Sequence, residues 1–536
     1  MAGAETPSTG ADILVRRLRD LGVSHIFGYP GGQITPIYDA LYRAGSIRHV
    51  LARDEQAAAF MADGYARATG RPGVCLAVCG PGVLNAATPL ATAFTDSIPV
   101  LLLSGQVPAS GCGLRTGYYH ENEQLKACAT LSKWQARAGT VDTIVGELDR
   151  AYAMMQNGRQ GPAILEVPLD VLRAECAAPL VPPPPPDTMP HQPRSKNIGE
   201  LAALLATWRR PLIIAGGGVA LSGAEALLVQ LAERLGAPVF HTLAGKAAVP
   251  GDHPLLAGLP WHQATSDLTN MGPFMSPLFA QADGLLAVGC RFSQACTGSW
   301  SLRPPESLAQ IDVDPDELGR HYPLKMGVQA DARDALRLLL TFLPTAPRKT
   351  WTKLVRRQPP RLAGLDLITP LRRALPRDAI IAADITRLSY MMLADFPVYE
   401  PKSFLHPAGF VSMGFGLPAA IGAKAAFPDR TVVAIAGDGC FMMSGMELAT
   451  AVQEKLPVIV ILINDGSLTL IKAIQQRRYE NRFLGVDLKN PDFDLFAKAF
   501  GVRSWQVETE AAFEEAAKEA VSLGETCLVE VRLRGD

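Results

Sequence analysis

Runs of apolar residues along the chain alternate with amphipathic segments, as strands alternate with helices. Residues 11–21 place leucines on one helical face, and Gly22 follows as a helix terminator. A longer helix is predicted from 55 to 69 and is closed by Gly70. Between the helices lie continuous runs such as VCLAVCG at 74–80. Runs without polar alternation are typical of parallel strands covered on both faces.

The same alternation occurs in three successive parts of the chain. The 536 residues suit three domains of about 150–200 residues each. The proline-rich stretch VPPPPPDTMPHQPR at 181–194 predicts a stiff connector and a domain boundary. We therefore predict an α/β fold with three doubly wound parallel-sheet domains, at 1–180, 195–345 and 360–536.

Composition and charge narrow the class of protein. Hydrophobic residues make up 48% and charged residues 19%, a globular balance, and the net charge of -1 provides no basic field for nucleic acid. No apolar stretch reaches the roughly 18–20 residues that a membrane span needs. The first residues lack a secretory signal pattern, and the nine cysteines form no CxxC pair. We expect a cytoplasmic protein with neither nucleic-acid nor membrane partners.

The strongest chemical signal is a pair of acidic turns in the last third of the chain. Gly-Asp-Gly at 437–439 and Asn-Asp-Gly-Ser at 464–467 each follow an apolar strand, with a helix predicted between them over 440–455. The carboxyl ends of parallel strands share one edge of the sheet, so Asp438 and Asp465 should lie side by side. Their oxygens suit Mg²⁺, and the helix start favours a diphosphate. Two ordinary strand-end turns remain the alternative.

Two further features have both a functional and a plain interpretation. Glu55 stands at the start of an alanine-rich helix, where burying a carboxylate is costly without a hydrogen-bonding partner. The plain interpretation is a glutamate favoured by the helix dipole. Three glycines at 216–218 suggest a dinucleotide loop, but the GxGxxG spacing is not met and no acidic residue follows suitably.

Several long stretches together resemble thiamin-diphosphate-dependent enzymes of the acetolactate synthase group. The resemblance covers nearly the whole chain, in the order of that family. It rests on GYPGGQITPIYDAL at 28–41, RDEQAAAFMADGYARATGRPGVCLAVCGPGVLN at 53–85, DSIPVLLLSGQVP at 96–108, SMGFGLPAAIGA at 412–423 and GDG…ND at 437–465. It implies a pyrimidine-binding, a central and a diphosphate-binding domain, with thiamin diphosphate and Mg²⁺ as cofactors.

The resemblance also implies roles for individual residues. Glu55 would hydrogen-bond the aminopyrimidine and assist proton transfer. Met413 would hold the cofactor bent, although a methionine at such a junction is also common core packing. Asp438, Asp465 and the Ser467 carbonyl would hold Mg²⁺. The other expected cofactor-binding residues are Tyr29, Pro30, Gly31, Gly437, Gly439, Cys440 and Asn464.

The acceptor region departs from the pattern of the family. Acetolactate synthases carry a glutamine after the SGQVP strand, and here His120 or Glu121 is expected at that place. A histidine could pass a proton to the reacting atoms, whereas an exposed loop histidine is the plain interpretation. Ile474 stands where the biosynthetic enzymes have a tryptophan, and the turn and the GVDL segment more closely resemble the flavin-independent enzymes.

Flavin is the less favoured cofactor. GCRFSQACTG at 289–298 resembles the flavin-binding stretch of the biosynthetic enzymes, and Arg291 matches its arginine. The companion Gly-Met-His-Gly stretch is missing, and GLPWHQ at 258–263 stands in its region.

Three interpretations of function remain open. The first is an acetolactate-synthase-like carboligase that decarboxylates pyruvate or a related 2-oxo acid and transfers the acyl unit to a carbonyl acceptor. The second is a 2-oxo acid decarboxylase or an acyloin lyase or ligase with another substrate. The third, a non-catalytic relative, conflicts with the intact Glu55, Asp438 and Asp465. The resemblance further implies a homodimer or homotetramer with active sites at the subunit interface.

Overall fold

The computed structural model describes residues 8–176, 193–261, 275–354 and 358–533. These ranges contain three parallel sheets of six strands each, with helices between most successive strands. The predicted fold class is therefore confirmed. Within these ranges no helix combines the length and the apolar character that crossing a membrane requires.

The first sheet occupies the amino-terminal third of the chain. Its elements are β1 Ser8–Thr9, α1 Gly10–Asp20, β2 His25–Gly28, α2 Thr35–Ala44, β3 Arg48–Leu51, α3 Glu55–Thr69, β4 Gly73–Ala77, α4 Pro81–Asn85, α5 Ala87–Asp96, β5 Val100–Gln106, α6 Gln124–Ala127, β6 Trp134–Arg137, α7 Thr143–Gln156, β7 Ala163–Pro168, α8 Leu169–Arg173 and β8 Glu175–Cys176. The strand order is β3-β2-β4-β5-β7-β6, and β1 pairs with β8 separately. The chain order reverses between β2 and β4, where ligands bind in open α/β sheets.

The second sheet has the strand order β11-β10-β9-β12-β13-β14. Its elements are α9 Ser195–Thr207, β9 Pro211–Ala215, α10 Gly217–Ser222, α11 Glu225–Leu235, β10 Val239–His241, β11 Leu256–Gly258, α12 Leu278–Gln281, β12 Gly284–Val288, α13 Gln294–Thr297, β13 Leu308–Asp312, β14 Met326–Gln329 and α14 Ala332–Phe342. Its central strands are apolar and buried on both faces, as their uninterrupted hydrophobic runs predict.

The third sheet has the strand order β16-β15-β17-β18-β20-β19 and reverses between β15 and β17. Its elements are α15 Ile368–Ala374, β15 Ile380–Ala383, α16 Arg387–Asp395, β16 Phe404–Leu405, α17 Gly416–Ala426, β17 Val432–Gly437, α18 Asp438–Ser444, α19 Leu448–Gln453, β18 Ile459–Asn464, α20 Thr469–Arg478, α21 Phe493–Ala499, β19 Arg503–Val507, α22 Glu510–Leu523 and β20 Cys527–Arg532.

The chain divides into two compact units. One contains the first sheet together with Phe410–Pro428 and Ser444–Leu456, and the other contains the second and third sheets. Most of the proline-rich connector lies outside the described residues, which resume at 193. The domain bounds 1–180, 195–345 and 360–536 therefore stay a prediction.

Two predicted helices can be compared directly with the structure. The helix predicted over 55–69 is α3, and Gly70 ends it at φ +72°. The helix predicted over 440–455 is interrupted: α18 ends at Ser444, a 3₁₀ turn follows over Gly445–Glu447, and α19 begins at Leu448. Glycine is a poor helix former, and the backbone at Ser444 is not helical.

Candidate active site

Glu55 begins α3 on the first sheet. Its helix cap is Asp54, which accepts a hydrogen bond from the Gln56 N–H at 3.1 Å. The Glu55 side chain is 8% exposed, and its Oε2 accepts from Asn85 Nδ2 at 3.0 Å. A Cβ at Gly82 would lie 2.8 Å from Glu55 Oε1, so only glycine leaves this carboxylate in place. The partner that sequence reasoning required for a buried Glu55 is Asn85.

The Tyr29–Pro30–Gly31 turn directly follows β2. A Cβ at Gly31 would lie 2.6 Å from Val78, which directly follows β4. The missing side chain thus brings the turn against the end of the neighbouring strand, at the reversal point of the sheet. Tyr29 remains 42% exposed.

Met413 lies in the same compact unit as Glu55. It precedes α17, is half-buried, and is followed by Gly414 at φ +86°. The Met413 carbonyl accepts a hydrogen bond from Ser412 Oγ at 3.3 Å. The glycine turn therefore sets how the chain enters α17 after Met413.

Asp438 joins the two acidic turns of the third sheet. It follows β17, and Asp465 follows the adjacent strand β18. Asp438 Oδ1 accepts from the Gly439 N–H at 2.9 Å, and Oδ2 accepts from the Gly466 N–H at 2.9 Å and from Asn490 Nδ2 at 2.7 Å. Burial raises the pKa of Asp438, as does the nearby Asp465 carboxylate, while the hydrogen bonds oppose the shift. The two turns form one structure, as predicted.

Asn490 was not anticipated from the sequence. Its Nδ2 also donates to Asn464 Oδ1 at 3.0 Å, so one amide spans both strand ends. The backbone confirms this closure, because the Leu488 N–H donates to the Gly466 carbonyl at 2.8 Å. Asn490 follows Asp438 by 52 residues and belongs to no recognisable spacing. The nearest signal in the sequence is the GVDL segment at 485–488, which precedes it.

The remaining predicted metal ligands have defined surroundings. Asp465 Oδ2 accepts from Thr469 Oγ1 at 2.6 Å. The Ser467 hydroxyl donates to the Val486 carbonyl at 3.0 Å. The Ser467 side chain is thus engaged within the turn, which is consistent with its expected role through the backbone carbonyl.

The cofactor-binding candidates near Asp438 make different contacts in the structure. Gly437 ends β17 and packs without a side chain. The Cys440 thiol donates to the Ile385 carbonyl at 3.0 Å, and Asn464 Nδ2 donates to Glu530 Oε1 at 2.7 Å. Both side chains therefore support the protein around the turns.

His120 and Glu121 have different environments on one loop. His120 is exposed at φ +64°, and a Cβ at Gly80 would lie 2.6 Å from its carbonyl oxygen. The Glu121 carboxylate accepts backbone N–H groups of residues 116–118 at 3.1, 2.8 and 3.1 Å. Desolvation raises the pKa of Glu121, but these bonds outweigh it and lower the pKa. Glu121 shapes the loop, whereas the His120 imidazole faces solvent.

A buried glutamine, Gln124, follows these two residues. Its Oε1 accepts from the Gly80 N–H at 2.9 Å, and its Nε2 donates to Glu166 Oε2 at 2.7 Å. Sequence reasoning placed His120 or Glu121 at the position of the family's glutamine and did not consider Gln124. Its place at the start of the short helix α6 was the available signal.

Backbone packing accounts for two of the three glycines at 216–218, namely Gly216 and Gly218. A Cβ at Gly216 would lie 1.9 Å from the Gly289 carbonyl oxygen, and one at Gly218 would lie 2.7 Å from the Gly289 Cα. Close approach of two strand ends therefore requires these glycines. In the GLPWHQ stretch, residues 262–263 lie outside the described residues.

Comparison with known proteins agrees with this architecture. Models of the thiamine pyrophosphate enzymes match in three parts: the N-terminal TPP binding domain at residues 8–128, the central domain at 198–339 and the C-terminal TPP binding domain at 384–531. The structure is similar to the Rhodococcus jostii RHA1 thiamine diphosphate-dependent 4-hydroxybenzoylformate decarboxylase. The TM-score is 0.86 at 26% identity, over 99% of this chain and 100% of that one.

Two curated relatives match at greater sequence identity. The acetolactate synthase isozyme 1 large subunit of Escherichia coli K12 is 33% identical over 99% of this chain and 96% of its own. The probable 2-ketoarginine decarboxylase AruI of Pseudomonas aeruginosa is 36% identical over 98% of this chain and 94% of its own. The buried glutamate on α3, the joined acidic turns and these full-length matches place the chain in the thiamine pyrophosphate enzyme family, in the acetolactate synthase group.

Proposed function

We propose that this protein is a thiamin-diphosphate-dependent carboligase. It removes carbon dioxide from pyruvate or a related 2-oxo acid and transfers the remaining acyl unit to a carbonyl acceptor. The observation that carries the proposal is Glu55, a carboxylate buried at the start of α3 and held by Asn85 beside a glycine turn. A carboxylate kept there at a desolvation cost is suited to handling a proton on a bound heterocycle.

The residues around the first sheet fit the pyrimidine half of the cofactor. Gly82 leaves Glu55 Oε1 uncovered by a side chain, and Gly31 brings the neighbouring turn to the reversal point between β2 and β4. Glu55 would accept a hydrogen bond from a ring nitrogen or donate one to it. Asn85 holds the carboxylate in orientation, and Met413 would contact the cofactor.

The acidic turns of the third sheet would hold Mg²⁺ together with a diphosphate. Asp438 and Asp465 provide carboxylate oxygens at adjacent strand ends, and the Ser467 carbonyl would be a third ligand. Asn490 orients Asp438 through its 2.7 Å hydrogen bond. Flavin is not part of the proposal, because the Gly-Met-His-Gly stretch that accompanies the flavin-binding stretch in the biosynthetic enzymes is missing here.

These positions indicate which part of the reaction the cofactor would supply and which part the protein residues would supply. Bound thiamin diphosphate supplies a carbon nucleophile and holds the electron pair that carbon dioxide leaves behind. The protein orients the cofactor, shields it from water and moves a proton at the Glu55 carboxyl. The residues around the acceptor then decide whether that electron pair takes a proton or a carbonyl carbon.

We infer that the active protein is a homodimer or homotetramer in the cytoplasm, with active sites at the subunit interface. The resemblance to the acetolactate synthase group supports this assembly. Apolar side chains are also exposed on the unit that carries Glu55, namely Leu84, Met446 and Val452. Exposed apolar residues near a site are consistent with a covering subunit.

A decarboxylase or acyloin lyase is the second candidate. The exposed His120 on the loop over Gly80 favours it, because an imidazole there could deliver a proton. Half-buried Ile474 stands where the biosynthetic enzymes have a tryptophan. Two proteins similar to this chain are named as decarboxylases.

Product identification separates the two candidates. The purified protein is incubated with thiamin diphosphate, Mg²⁺ and pyruvate, and the products are identified by mass spectrometry. Acetolactate without free acetaldehyde is the expected result for the carboligase. Acetaldehyde alone would favour the decarboxylase. Absence of turnover would direct the assay to larger 2-oxo acids and aldehydes, and inactivity with all of them would refute both candidates.

A further inference from the structure

A group of buried polar side chains lies at the carboxyl ends of β5, β6 and β7. We call it the Glu166 cluster, and its members are Ser104, Gln106, Gln124, Arg137 and Glu166. These three strands are adjacent in the sheet, with β7 between β5 and β6. None of these side chains has a role in the chemistry proposed above, although four of the five are buried.

Glu166 is the common acceptor of this cluster. Its Oε2 accepts from Gln124 Nε2 at 2.7 Å and from Gln106 Nε2 at 3.2 Å, and its Oε1 accepts from Arg137 Nε. Glu166 is fully buried, while Arg137 reaches the surface. Burial raises the pKa of Glu166, and the Arg137 guanidinium and the two amides oppose that shift.

The two glutamines connect Glu166 to the loop that carries His120. Gln106 Nε2 donates to the Asn122 carbonyl at 3.0 Å. Gln124 lies at the end of the loop, and its Oε1 accepts from the Gly80 N–H at 2.9 Å. The loop of residues 112–124 is thereby attached to the sheet on the carboxyl side of His120.

Gly80 lies between the attached loop and the residues around Glu55. It follows β4 at φ +68°, and the His120 carbonyl oxygen would lie 2.6 Å from a Cβ placed on it. A shift of the loop would therefore move His120 relative to the turn that leads to Gly82 and Asn85, the neighbours of Glu55.

Stabilisation of the folded state does not by itself explain why these polar side chains are buried together. Burying a carboxylate with a partner gains little compared with apolar side chains of similar volume, because desolvation offsets the attraction. A directional network does fix geometry, since each of its bonds is lost when the loop is displaced. The cluster is therefore built to hold one loop position.

We propose that Glu166 is a positioning residue which, through Gln106 and Gln124, holds the loop of residues 112–124 and so sets how the acyl unit is divided between a proton and a carbonyl acceptor. This inference rests on the proposed function. A loosened loop admits water, so protonation gains at the expense of ligation. Misplacement by about 1 Å can change a rate by up to ~100-fold, so the product ratio responds to small shifts.

The test uses two variants of the full-length protein with cofactor and Mg²⁺. Glu166→Gln removes the charge and replaces one of the two acceptor oxygens with an amide donor. Gln106→Met removes the hydrogen bonds of Gln106 to Asn122 and to Glu166 while leaving the pair of Glu166 and Arg137 intact. We expect the ratio of aldehyde to ligation product to rise about tenfold, with carbon dioxide release retained within about twofold. The milder Gln106→Met keeps the test valid if Glu166→Gln does not fold.

Asp149→Asn is the matched control. Asp149 is also a buried carboxylate of the first sheet's unit, and it pairs with Arg17 at 2.6 Å between α7 and α1, neither of which contains residues of the loop. Loss of that ion pair should lower stability without changing the product ratio. A change in ratio of equal size in the control would assign the effect to general destabilisation and overturn the proposal.

Hydrogen exchange gives a readout that does not depend on turnover. Amide exchange in peptides covering residue 80 and residues 112–124 should accelerate in both cluster variants and not in Asp149→Asn. Unchanged exchange, or faster exchange with an unchanged product ratio, would overturn the positioning role. If the parent protein turns over no 2-oxo acid, the proposed function falls as well. If the parent is active and the ratios are constant, only this inference falls.

Discussion

At the scale of single residues, the sequence identified most candidate groups but not their partners. Glu55 was predicted from its apolar helix, yet Asn85, which satisfies its Oε2 at 3.0 Å, lies 30 residues away in the chain. Asn490 reaches Asp438 across 52 residues. Contacts of this kind depend on where strands end in space, and no local pattern encodes them.

Glu55→Gln should abolish most activity while the protein stays folded. The amide can still occupy the space beside Gly82 and contact Asn85, but it cannot exchange a proton, so turnover should fall by roughly 10²–10⁴-fold. Thiamin diphosphate affinity, measured by fluorescence titration in Mg²⁺, should change little. Glu147→Gln, at an exposed pair with Arg150 on α7, is the control. Full activity of Glu55→Gln would remove the central assignment.

Glu447 is a buried carboxylate outside the proposed chemistry. Its Oε1 accepts from the Arg53 N–H at 2.9 Å, and its Oε2 accepts from Thr450 Oγ1 at 2.6 Å. Burial, reinforced by the Asp54 charge, raises its pKa from 4.5 to about 7, while the hydrogen bonds oppose the shift. Between these two values the folded state holds a proton that the unfolded state has released.

Stability should therefore decrease as pH rises from about 4.5 to about 7, where the unfolded state binds fewer protons. Glu447→Gln removes this contribution and keeps an acceptor for Arg53. Relative to the parent, we expect the variant to gain on the order of 2 kcal/mol between pH 5 and pH 8, measured by thermal unfolding at both pH values. A difference that does not change with pH would contradict the raised pKa.

At the scale of elements, the pairing of α3 with α17 connects distant parts of the chain. A Cβ at Gly64 would lie 2.3 Å from the Ala419 carbonyl oxygen, and one at Gly422 would lie 1.9 Å from the Met61 carbonyl oxygen. The two backbones are thus in direct contact, which only glycine allows. This contact seats the helix that follows Met413 against the helix that begins with Glu55.

Gly422→Ala should destabilise this helix pair strongly. The new methyl group meets backbone rather than a movable side chain, so the helices must separate, at a cost of about 3 kcal/mol or more. Gly139→Ala is the control, because nothing lies within 4 Å of its Cβ. Thermal unfolding compares the two. A midpoint for Gly422→Ala equal to that of the control would show that the pairing tolerates separation.

At the scale of the whole molecule, the candidate residues fall into two compact units. Glu55 and Met413 belong to one, and Asp438 and Asp465 belong to the other. We propose that, in the homodimer with active sites at the subunit interface, the Glu55 of one protomer and the Asp438 of its partner would serve the same cofactor. Each site would then need two chains.

Subunit mixing tests this assembly. Glu55→Gln and Asp438→Ala should each be nearly inactive alone, while their co-expression should restore about a quarter of parental activity, since half of random dimers carry one intact site of two. Co-expression of Glu55→Gln with itself under two affinity tags is the control. Activity that stays absent in the mixed dimer would show that each chain builds its own site.

The sequence alone determined the fold class, the extent of α3 and the pair of acidic turns. These follow from local rules: apolar runs become buried strands, glycine ends helices, and residues after parallel strands share one edge of the sheet. The candidate residues Glu55, Asp438 and Asp465 could be predicted from the sequence because each stands directly after a strand or at the start of a helix.

Only the tertiary structure decided the partners of those residues. The break at Ser444, the bridge through Asn490, the close contact at Gly422 and the Glu166 cluster depend on packing between segments far apart in the chain. The same packing separated the loop-shaping Glu121 from the solvent-facing His120. Hydrogen bonds and steric contacts act over a few ångströms in space, so adjacency along the chain does not predict them.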